Sequence, residues 1–167
     1  MSNYHPLVHQ IRQRLENANI SYEFFEHEAV RTSQEAQKTR PGYSLKQGAK
    51  AIIISAKIKL ENEYIRKLFM LVMPANQKLN GKAAKKILAA KSISFATKEE
   101  ANSVTKGVEF GGVPPFGDMF GLDVFVDESL LENKRIVFNC GDRRASIAMN
   151  TSDYLDLLSP TIASFSS

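Results

Sequence analysis

The stretch GAKAIIISAKIKLENEYIRKLFMLVM, residues 48–73, contains two strand-like segments that lie next to each other in the chain. Residues 48–58 and 64–73 are rich in β-branched and aromatic side chains, which are common in strands. Because the polar residues Glu-Asn-Glu separate the two segments, the pattern predicts a β-hairpin. Lys50 interrupts the apolar start of the first strand. Its side chain either snorkels to water or places a fixed cation beside a pocket.

On both sides of this hairpin, helical and strand-like segments follow each other without a regular βα order. Helical patterns cover residues 6–19, 32–39, 80–90, 97–105 and 151–158. Helix caps are predicted at Asn80, at Thr97 with Glu100, and at Thr151 or Ser152, and Pro160 predicts the end of the last helix. Further strand patterns cover residues 21–26, 92–96, 122–126, 135–139 and 145–149. This irregular order predicts an α+β (mixed α/β) fold rather than a doubly wound parallel sheet. With 167 residues and no obvious linker, we expect one domain over residues 1–167.

The composition is that of a globular protein, with 43% apolar and 24% charged residues, and it argues against disorder. No apolar run approaches the roughly 20 residues that a membrane span needs, so we expect no membrane association. The first residues lack the apolar segment of a secretory signal. A single cysteine excludes an intramolecular disulfide framework and favours a reducing compartment. We therefore expect a cytoplasmic protein.

Charge is distributed unevenly along the chain. Residues 31–91 contain 14 basic and 3 acidic residues, whereas residues 107–133 contain no lysine or arginine. Such a separation indicates a basic face for a polyanion, with nucleic acid the commonest partner. The alternative is that these lysines lie scattered on solvated helix faces.

A loop rich in glycine and proline, KGVEFGGVPPFGDMFG, occupies residues 106–121. Gly111 and Gly112 allow the backbone to bend sharply or to approach a bound molecule closely. The two prolines that follow Val113 are rigid and have no N–H to donate. We expect the amides of Gly111, Gly112 and Val113 to form a short edge that binds an oxyanion or a carbonyl oxygen. The alternative is a tight structural turn.

Other candidate groups have weaker patterns. His5 and His9 are spaced to chelate a metal, but no third ligand follows at a recognisable spacing, so we predict no metal site. Cys140 would be a nucleophile if His27 lay beside it. Its place at the end of an apolar strand favours a buried structural thiol. Ser146 is not preceded by a nucleophile elbow, and no Walker, GxGxxG or HExxH motif is present.

Four motifs together carry a family resemblance: GAKAIIISAK, KGVEFGGVPPFG, DVFVDESL and FNCGDRRASIAMNTSDYLDLL. In this order and spacing, the chain resembles the YbaK family along nearly its whole length. These proteins are free-standing relatives of the editing domain inserted in bacterial prolyl-tRNA synthetase. The resemblance implies a curled mixed β-sheet around a pocket, flanked by helices.

The resemblance also implies an activity, which is hydrolysis in trans of the ester between a wrong amino acid and the terminal adenosine of a tRNA. Lys50 falls where the family keeps its essential lysine, and Gly111 with Pro115 matches the loop against which the ester lies. Ser146 falls where several members have an acidic residue or a histidine at the pocket edge. The chain departs from the family there, which puts general-base help from this position and substrate choice in question.

From the residues and the resemblance together, we expect three groups of site residues. Catalytic roles are expected for Lys50, Gly111, Gly112 and Ser146. Substrate contacts are expected from Val113, Pro115, Phe116 and His27. Contacts with tRNA phosphates are expected from Lys82, Lys85 and Lys86.

The expected partners are the acceptor end of an aminoacyl-tRNA and an aminoacyl-tRNA synthetase. We expect no cofactor and no metal, because in related enzymes a ribose hydroxyl of the substrate is thought to help activate the water. Two alternatives stay open. One is a non-catalytic tRNA- or RNA-binding module with the same fold, and the other is a hydrolase that acts on small aminoacyl esters without tRNA.

Overall fold

The structure is a computed structural model that describes residues 3–29 and 32–167. In this part of the chain there are five α-helices and eight β-strands. The helices are α1 Pro6–Asn17, α2 Ser33–Lys38, α3 Gly81–Ile87, α4 Lys98–Thr105 and α5 Thr151–Leu158. The strands are β1 Tyr22–Glu26, β2 Ala49–Leu60, β3 Glu63–Pro74, β4 Ala90–Phe95, β5 Asp123–Asp127, β6 Arg135–Asn139, β7 Ala145–Asn150 and β8 Thr161–Ala163. None of the described helices is both long enough and apolar enough to span a membrane.

The larger sheet is built around the predicted hairpin and has the strand order β4-β2-β3-β5-β8. Strands β2 and β3 pair antiparallel from Ala49 with Pro74 to Leu60 with Glu63, which confirms the hairpin. Both strands are longer than predicted, and only Glu61 and Asn62 remain in the turn. Strands β3, β5 and β8 are parallel neighbours, so the sheet is mixed.

The smaller sheet is antiparallel, with the order β1-β7-β6. A single parallel bridge between Gly48 and Val137 connects it to the start of β2. The predicted α+β class is therefore confirmed. The curved layer implied by the resemblance is divided into two sheets that adjoin at this bridge.

The side chains of β2 alternate between two apolar cores, because successive residues of a strand point to opposite faces. Ala49 and Ile53 belong to the first core, which also contains residues of α1, β6 and β7. Ile54 and Ala56 belong to the second core, which is covered by Ala84 of α3 and by Leu88, the residue just after this helix. Burial of apolar side chains on both faces makes the hairpin the centre of the protein.

One edge of β2 is covered only in part. Strand β4 pairs with β2 from Ile54 to Ile58, and the carbonyl of Ile53 accepts a hydrogen bond from the amide of Ala96. The bridge to β6 occupies Gly48. Within the described chain, no strand pairs with this edge at residues 49–52. The gap between β4 and β6 contains the candidate site.

Most of the predicted helix starts are confirmed by hydrogen bonds. The Asn80 side chain accepts from the amide of Ala83, and Thr97 with Glu100 forms a capping box at the start of α4. Helix α5 differs, because its N-cap is Asn150 rather than Thr151 or Ser152. The Thr151 hydroxyl instead donates to the carbonyl of Asn133 at 2.6 Å.

Helix α3 is shorter than predicted and ends at Ile87 instead of residue 90. Ala89 has a positive φ of 51°, which stops the helix and turns the chain directly into β4 at Ala90. The lysines of α3 are all exposed.

Candidate active site

A cavity of about 400 Å³ lies beside the free edge of β2, between the two sheets. Its walls are mostly apolar and include Ala49, Ala51, Ile53 and Val137. The cavity also brings together three residues that the sequence predicted as parts of one site, Lys50, Gly111 and Val113. Residues from distant parts of the chain therefore meet at one concave surface, as in binding sites for small ligands.

The glycine-rich loop is held in place by hydrogen bonds to three of its carbonyl groups. Asn139 Nδ2 donates to the carbonyl of Gly111, the amide of Gly141 donates to that of Gly112 at 2.8 Å, and the Tyr154 hydroxyl donates to that of Pro115 at 2.5 Å. The loop is therefore positioned by β6, by the turn after it and by α5. Such a fixed backbone is what preorganised donors require.

Two of the three predicted amide donors of this loop are free. The amide of Gly112 donates to the carbonyl of Glu109 at 2.9 Å and closes a tight turn. The amides of Gly111 and Val113 have no partner among the described residues. Gly111 is exposed with a φ of 88°, in the region that favours glycine. Gly112 is buried, and a Cβ there would meet the backbone of Arg143 at 3.3 Å.

Lys50 supplies a half-buried cation to the cavity. Its Nζ donates to the carbonyl of Gln77 at 3.3 Å, and no carboxylate lies within ion-pair distance of it in the described part of the chain. Burial lowers the pKa of Lys50 below its ordinary value, because desolvation disfavours the charged form. A cation without an acidic partner beside a cavity is suited to an anionic ligand.

A buried polar network lies behind the loop and includes Ser146. The Ser146 hydroxyl accepts from Arg40 Nε at 3.0 Å and donates to Asn139 Oδ1 at 3.0 Å. Its oxygen also lies 2.8 Å from His27 Nε2. Ser146 is fully buried and is not part of the cavity wall. Substrate does not reach this hydroxyl, so its position supports a role in orienting neighbours rather than in direct attack.

His27 contacts this network through its Nε2, which lies 2.8 Å from Ser146 Oγ. Its Nδ1 lies 2.8 Å from the carbonyl of Glu28, which only accepts hydrogen bonds, so Nδ1 carries a proton. Burial lowers the pKa of His27; the bond to the Glu28 carbonyl opposes this shift, and nearby Arg40 adds to it. His27 is half-buried and does not line the cavity.

We predict that His27 makes the protein less stable in acid. Its folded-state pKa lies below the unfolded value of about 6.5, so stability is complete above that pH. As the pH falls through this region, the unfolded chain takes up a proton first and stability is lost. Melting temperatures between pH 7.5 and 5 should therefore fall more steeply in the wild type than in His27→Gln. Equal slopes for the two proteins would contradict this assignment.

Cys140 is a buried thiol, as its place at a strand end indicated. It is fully buried, and burial raises the pKa of Cys140 to about 12. Because the thiolate is the nucleophilic form, and His27 is bound to Ser146 instead, the structure gives no support to covalent catalysis by this residue.

We predict that Cys140→Ala retains most of the activity. The change removes one buried sulfur atom and should cost stability, since deletion of buried side-chain atoms leaves a cavity. Single-turnover rates measured well below the melting temperature check this. A large loss of rate in a variant that is still fully folded would restore the nucleophile hypothesis.

His5, one of the two histidines considered for metal binding, has other partners. His5 Nδ1 accepts from the amide of Leu7 at 3.1 Å, and its Nε2 donates to the carbonyl of Lys106 at 2.9 Å. Among the described residues, no three His, Cys, Asp or Glu side chains are close enough together to hold a metal ion. That the reaction needs no metal stays a prediction.

Two predicted substrate contacts lie in the core instead of at the cavity wall. Phe116 is fully buried and packs edge-on against Phe138 and Tyr154. Pro115 is also buried. Both residues fix the shape of the loop from behind, while Val113 alone of the predicted substrate-binding residues lines the cavity.

The predicted tRNA-binding lysines, Lys82, Lys85 and Lys86, are exposed on α3. Helix α3 packs on the face of the hairpin to which even-numbered residues of β2 point, including Ile52 and Ile54. Lys50 precedes Ile52 by two residues and therefore shares its face. The three lysines lie outside the cavity, on the side of the sheet where the Lys50 side chain emerges.

The comparison with protein families decides the assignment. The family model described as "Aminoacyl-tRNA editing domain" matches residues 27–157, which is most of the chain. The chain belongs to the aminoacyl-tRNA editing domain family. No curated protein matches this editing domain significantly.

Solved structures show the same fold. A candidate trans-editing enzyme for prolyl tRNA synthetase superposes with a TM-score of 0.79 at 22% identity, covering 99% of each chain. The hypothetical protein APE2540 has a TM-score of 0.80 at 20% identity, covering 95% of the editing domain and 99% of its own chain. A scaffold used for computational epitope grafting has a TM-score of 0.80 at 21% identity, covering 97% and 98%. At these identities, the likeness establishes the fold alone.

Sequence reasoning did not single out Arg40 and Asn139, although both line the cavity of the editing domain. Arg40 stands before Pro41-Gly42 and was one basic residue among many in residues 31–91. Asn139 ends a strand and precedes Cys140, and its residue type alone does not indicate a site. Only the pairing of β6 with β7, which places Asn139 opposite Ser146, brings these side chains together.

Proposed function

We propose that this editing domain hydrolyses, in trans, the ester bond of a mischarged aminoacyl-tRNA. The observation that carries the proposal is that Lys50 lines the same cavity as Gly111 and Val113, whose amides are free among the described residues. The cavity wall includes no acidic side chain among the described residues. This arrangement favours an anionic substrate and a reaction that develops negative charge.

The reaction would be attack of water on the carbonyl carbon of the ester. This step places negative charge on the carbonyl oxygen, and amides fixed in advance stabilise that charge without reorganisation. The Gly111 and Val113 amides are candidates for this role because the loop that carries them is anchored at three carbonyls. Collapse of the intermediate would release the amino acid and leave the terminal ribose hydroxyl free.

Among the described residues of the cavity wall, no general base is evident. Ser146 and His27 lie behind that wall and contact each other there. We propose that a hydroxyl of the terminal ribose assists the water, as the family resemblance implies. Lys50 would then bind the ribose-phosphate end or balance the developing charge as a fixed cation, without acting as a base.

Two phenylalanines at the cavity are suited to the unpaired bases of an acceptor end. Phe95 and Phe110 line the cavity, yet 64% and 59% of their surfaces are exposed. Exposed aromatic side chains give single-stranded nucleic acids a stacking surface that tolerates any base. The two rings therefore support a nucleic-acid substrate over a small ester.

The α3 lysines, Lys82, Lys85 and Lys86, would contact phosphates farther along the acceptor stem. Such contacts hold the substrate in place without reading its sequence. We predict that replacing all three with alanine weakens tRNA binding at low salt. Since each contact contributes somewhat under one unit to the slope of log affinity against log salt, the slope should become shallower by up to about 3.

Binding titrations between low and physiological salt check this prediction. A triple variant at exposed lysines away from α3, namely Lys98, Lys106 and Lys134, is the control for net charge. If the α3 variant binds tRNA with the same affinity and slope as this control, α3 is only a solvated face.

Deacylation assays distinguish the proposal from its alternatives. A hydrolase acting on tRNA should cleave mischarged tRNAs and cleave matched small aminoacyl esters more slowly. A binding module should retain charged tRNA without releasing the amino acid, and an enzyme for small esters should gain nothing from the tRNA. A synthetase partner and a cytoplasmic location remain predictions.

A further inference from the structure

Arg40 is a second cation at the cavity, and it is more deeply buried than Lys50. Only 6% of its surface is exposed, although it lines the cavity. Its Nε donates to Ser146 Oγ at 3.0 Å, and its Nη2 donates to Asn139 Oδ1 at 2.7 Å. Both partners are neutral, so they fix the guanidinium plane without balancing its charge.

In the described part of the chain, the charge of Arg40 has no acidic partner. Within residues 3–29 and 32–167, no carboxylate lies within ion-pair distance of it. Burial lowers the pKa of Arg40 to about 10, so the group stays charged at neutral pH. Buried charges in proteins are normally paired, because an unpaired one is costly. The cavity therefore contains a positive charge that an anionic ligand can compensate.

One end of the guanidinium remains available to such a ligand. Nη1 has no hydrogen-bond partner among the described residues. In the same residues, every side-chain nitrogen or oxygen that is closed off from solvent does have a partner. Nη1 is therefore reached by solvent, and the cavity that Arg40 lines gives access to it. Arginine presents its donors in a fixed fork that matches a carboxylate.

We propose that Arg40 selects the aminoacyl group, and that this group ends in a side-chain carboxylate, as aspartyl and glutamyl esters do. The proposal rests on the proposed function and names its substrate class. A tRNA phosphate is the other anion to consider, but it is bulky and strongly hydrated and belongs at the open end of the cavity. Only the terminal part of the substrate fits beside a residue as buried as Arg40.

The expected preference is large. A site built to hydrogen-bond a polar group discriminates strongly against analogues that lack it. We expect aspartyl or glutamyl esters to be cleaved at least about a hundredfold faster than alanyl esters. Asparaginyl and glutaminyl esters have the same shape but no charge, and we expect them to be cleaved at least about tenfold more slowly than their acidic counterparts.

The test measures single-turnover release of Asp, Glu, Asn, Gln and Ala from one tRNA by the wild type, Arg40→Gln and Arg40→Lys. Arg66→Gln is the matched control, since it removes the same charge from an exposed position outside the cavity wall. In Arg40→Gln, the acidic-to-amide rate ratio should fall to near one, because the rates on the acidic esters fall much more than those on the amide and alanyl esters. Arg40→Lys should restore part of the ratio.

Two rate patterns overturn the inference while leaving the proposed function intact. One is a wild type that prefers alanyl or amide esters. The other is an Arg40→Gln variant that loses rate equally on all five substrates, because Arg40 would then serve the ester oxyanion or the loop. If Arg40→Gln does not fold, the order of the five wild-type rates decides alone.

A binding measurement separates this inference from the deacylase activity. Adenosine carrying aspartate through a stable 3′-amide, compared with its asparaginyl counterpart, is titrated into the wild type by calorimetry. We expect at least tenfold tighter binding of the aspartyl compound. If no tRNA is deacylated, the proposed function fails. Equal affinities of the aspartyl and asparaginyl compounds would overturn the proposed substrate class, whether or not tRNA is deacylated.

Discussion

Lys50→Ala is expected to slow deacylation about a hundredfold or more while the protein stays folded. Removal of a transition-state contact of about 3 kcal/mol has an effect of this size. Lys50 is half-buried at the cavity, and among the described residues its Nζ is bound only to a carbonyl group. Its positive charge is therefore available to the ribose-phosphate end or to the developing oxyanion.

The stability of the same variant should change little. Lys50 has no acidic partner among the described residues, and its lowered pKa means that folding disfavours its charge. Loss of the charge therefore removes a desolvation cost together with one weak hydrogen bond. A lysine that merely snorkels to water predicts nearly normal turnover instead.

Single-turnover rates and thermal melting on the same samples separate these outcomes. Lys59→Ala is the matched control, because Lys59 lies on the same strand but is exposed near the hairpin turn. Turnover within a fewfold of the wild type in Lys50→Ala, with a normal melting temperature, would remove Lys50 from the mechanism.

Gly111→Ala is expected to lower the rate by at least about tenfold. Gly111 has a φ of 88°, and a left-handed conformation costs a residue with a Cβ about 1–2 kcal/mol. The backbone can relieve this strain by moving its free amide away from the oxyanion position. The added Cβ also lies beside the cavity where the ester must approach.

Gly121→Ala separates strain from catalysis. Gly121 also has a positive φ, of 72°, and a Cβ there would meet nothing within 4 Å. The two variants should lose comparable stability, but only Gly111→Ala should lose most of its rate. If both retain full rates, or both lose the same fraction, the loop is a structural turn.

Local patterns predicted most of the elements because they depend on neighbouring residues. The hairpin at residues 48–73 has strong strand formers on both sides of a short polar turn, and the caps at Asn80 and Thr97 need only a side chain and an amide three residues on. The position of β5 between β3 and β8 was not predictable in this way. In this arrangement Val126 pairs with Val72 on one side and with Ile162 on the other. Strand partners so far apart in the chain leave no pattern in the local sequence.

The last strand shows the same limit. Pro160 correctly indicated the end of α5, but Thr161–Ala163 then pairs in parallel with β5. Asp127 organises the segment after it by accepting from the amides of Phe165 and Ser166 at 2.7 and 2.9 Å. A carboxylate that binds backbone amides almost 40 positions away cannot be recognised from its own neighbourhood.

The candidate site was predictable where residue type alone restricts the role. Glycines before two prolines indicated the loop, and a lysine at the start of an apolar strand indicated the cation. Phe116 was predicted to contact the substrate, but its ring lies in the core. The local sequence is the same whether an aromatic ring after a loop faces a cavity or the core, so the sequence did not distinguish the two. Arg40 was missed because its importance lies in the absence of an acidic partner, which only the tertiary structure reveals.

The most direct test of the central claim uses the purified protein alone, in EDTA, with tRNAs carrying each of a panel of amino acids. We expect release of at least one amino acid at a rate well above spontaneous hydrolysis, with that release lost in Lys50→Ala and kept in Lys59→Ala. A protein that binds charged tRNA while every ester survives as long as it does in buffer would not be the proposed deacylase.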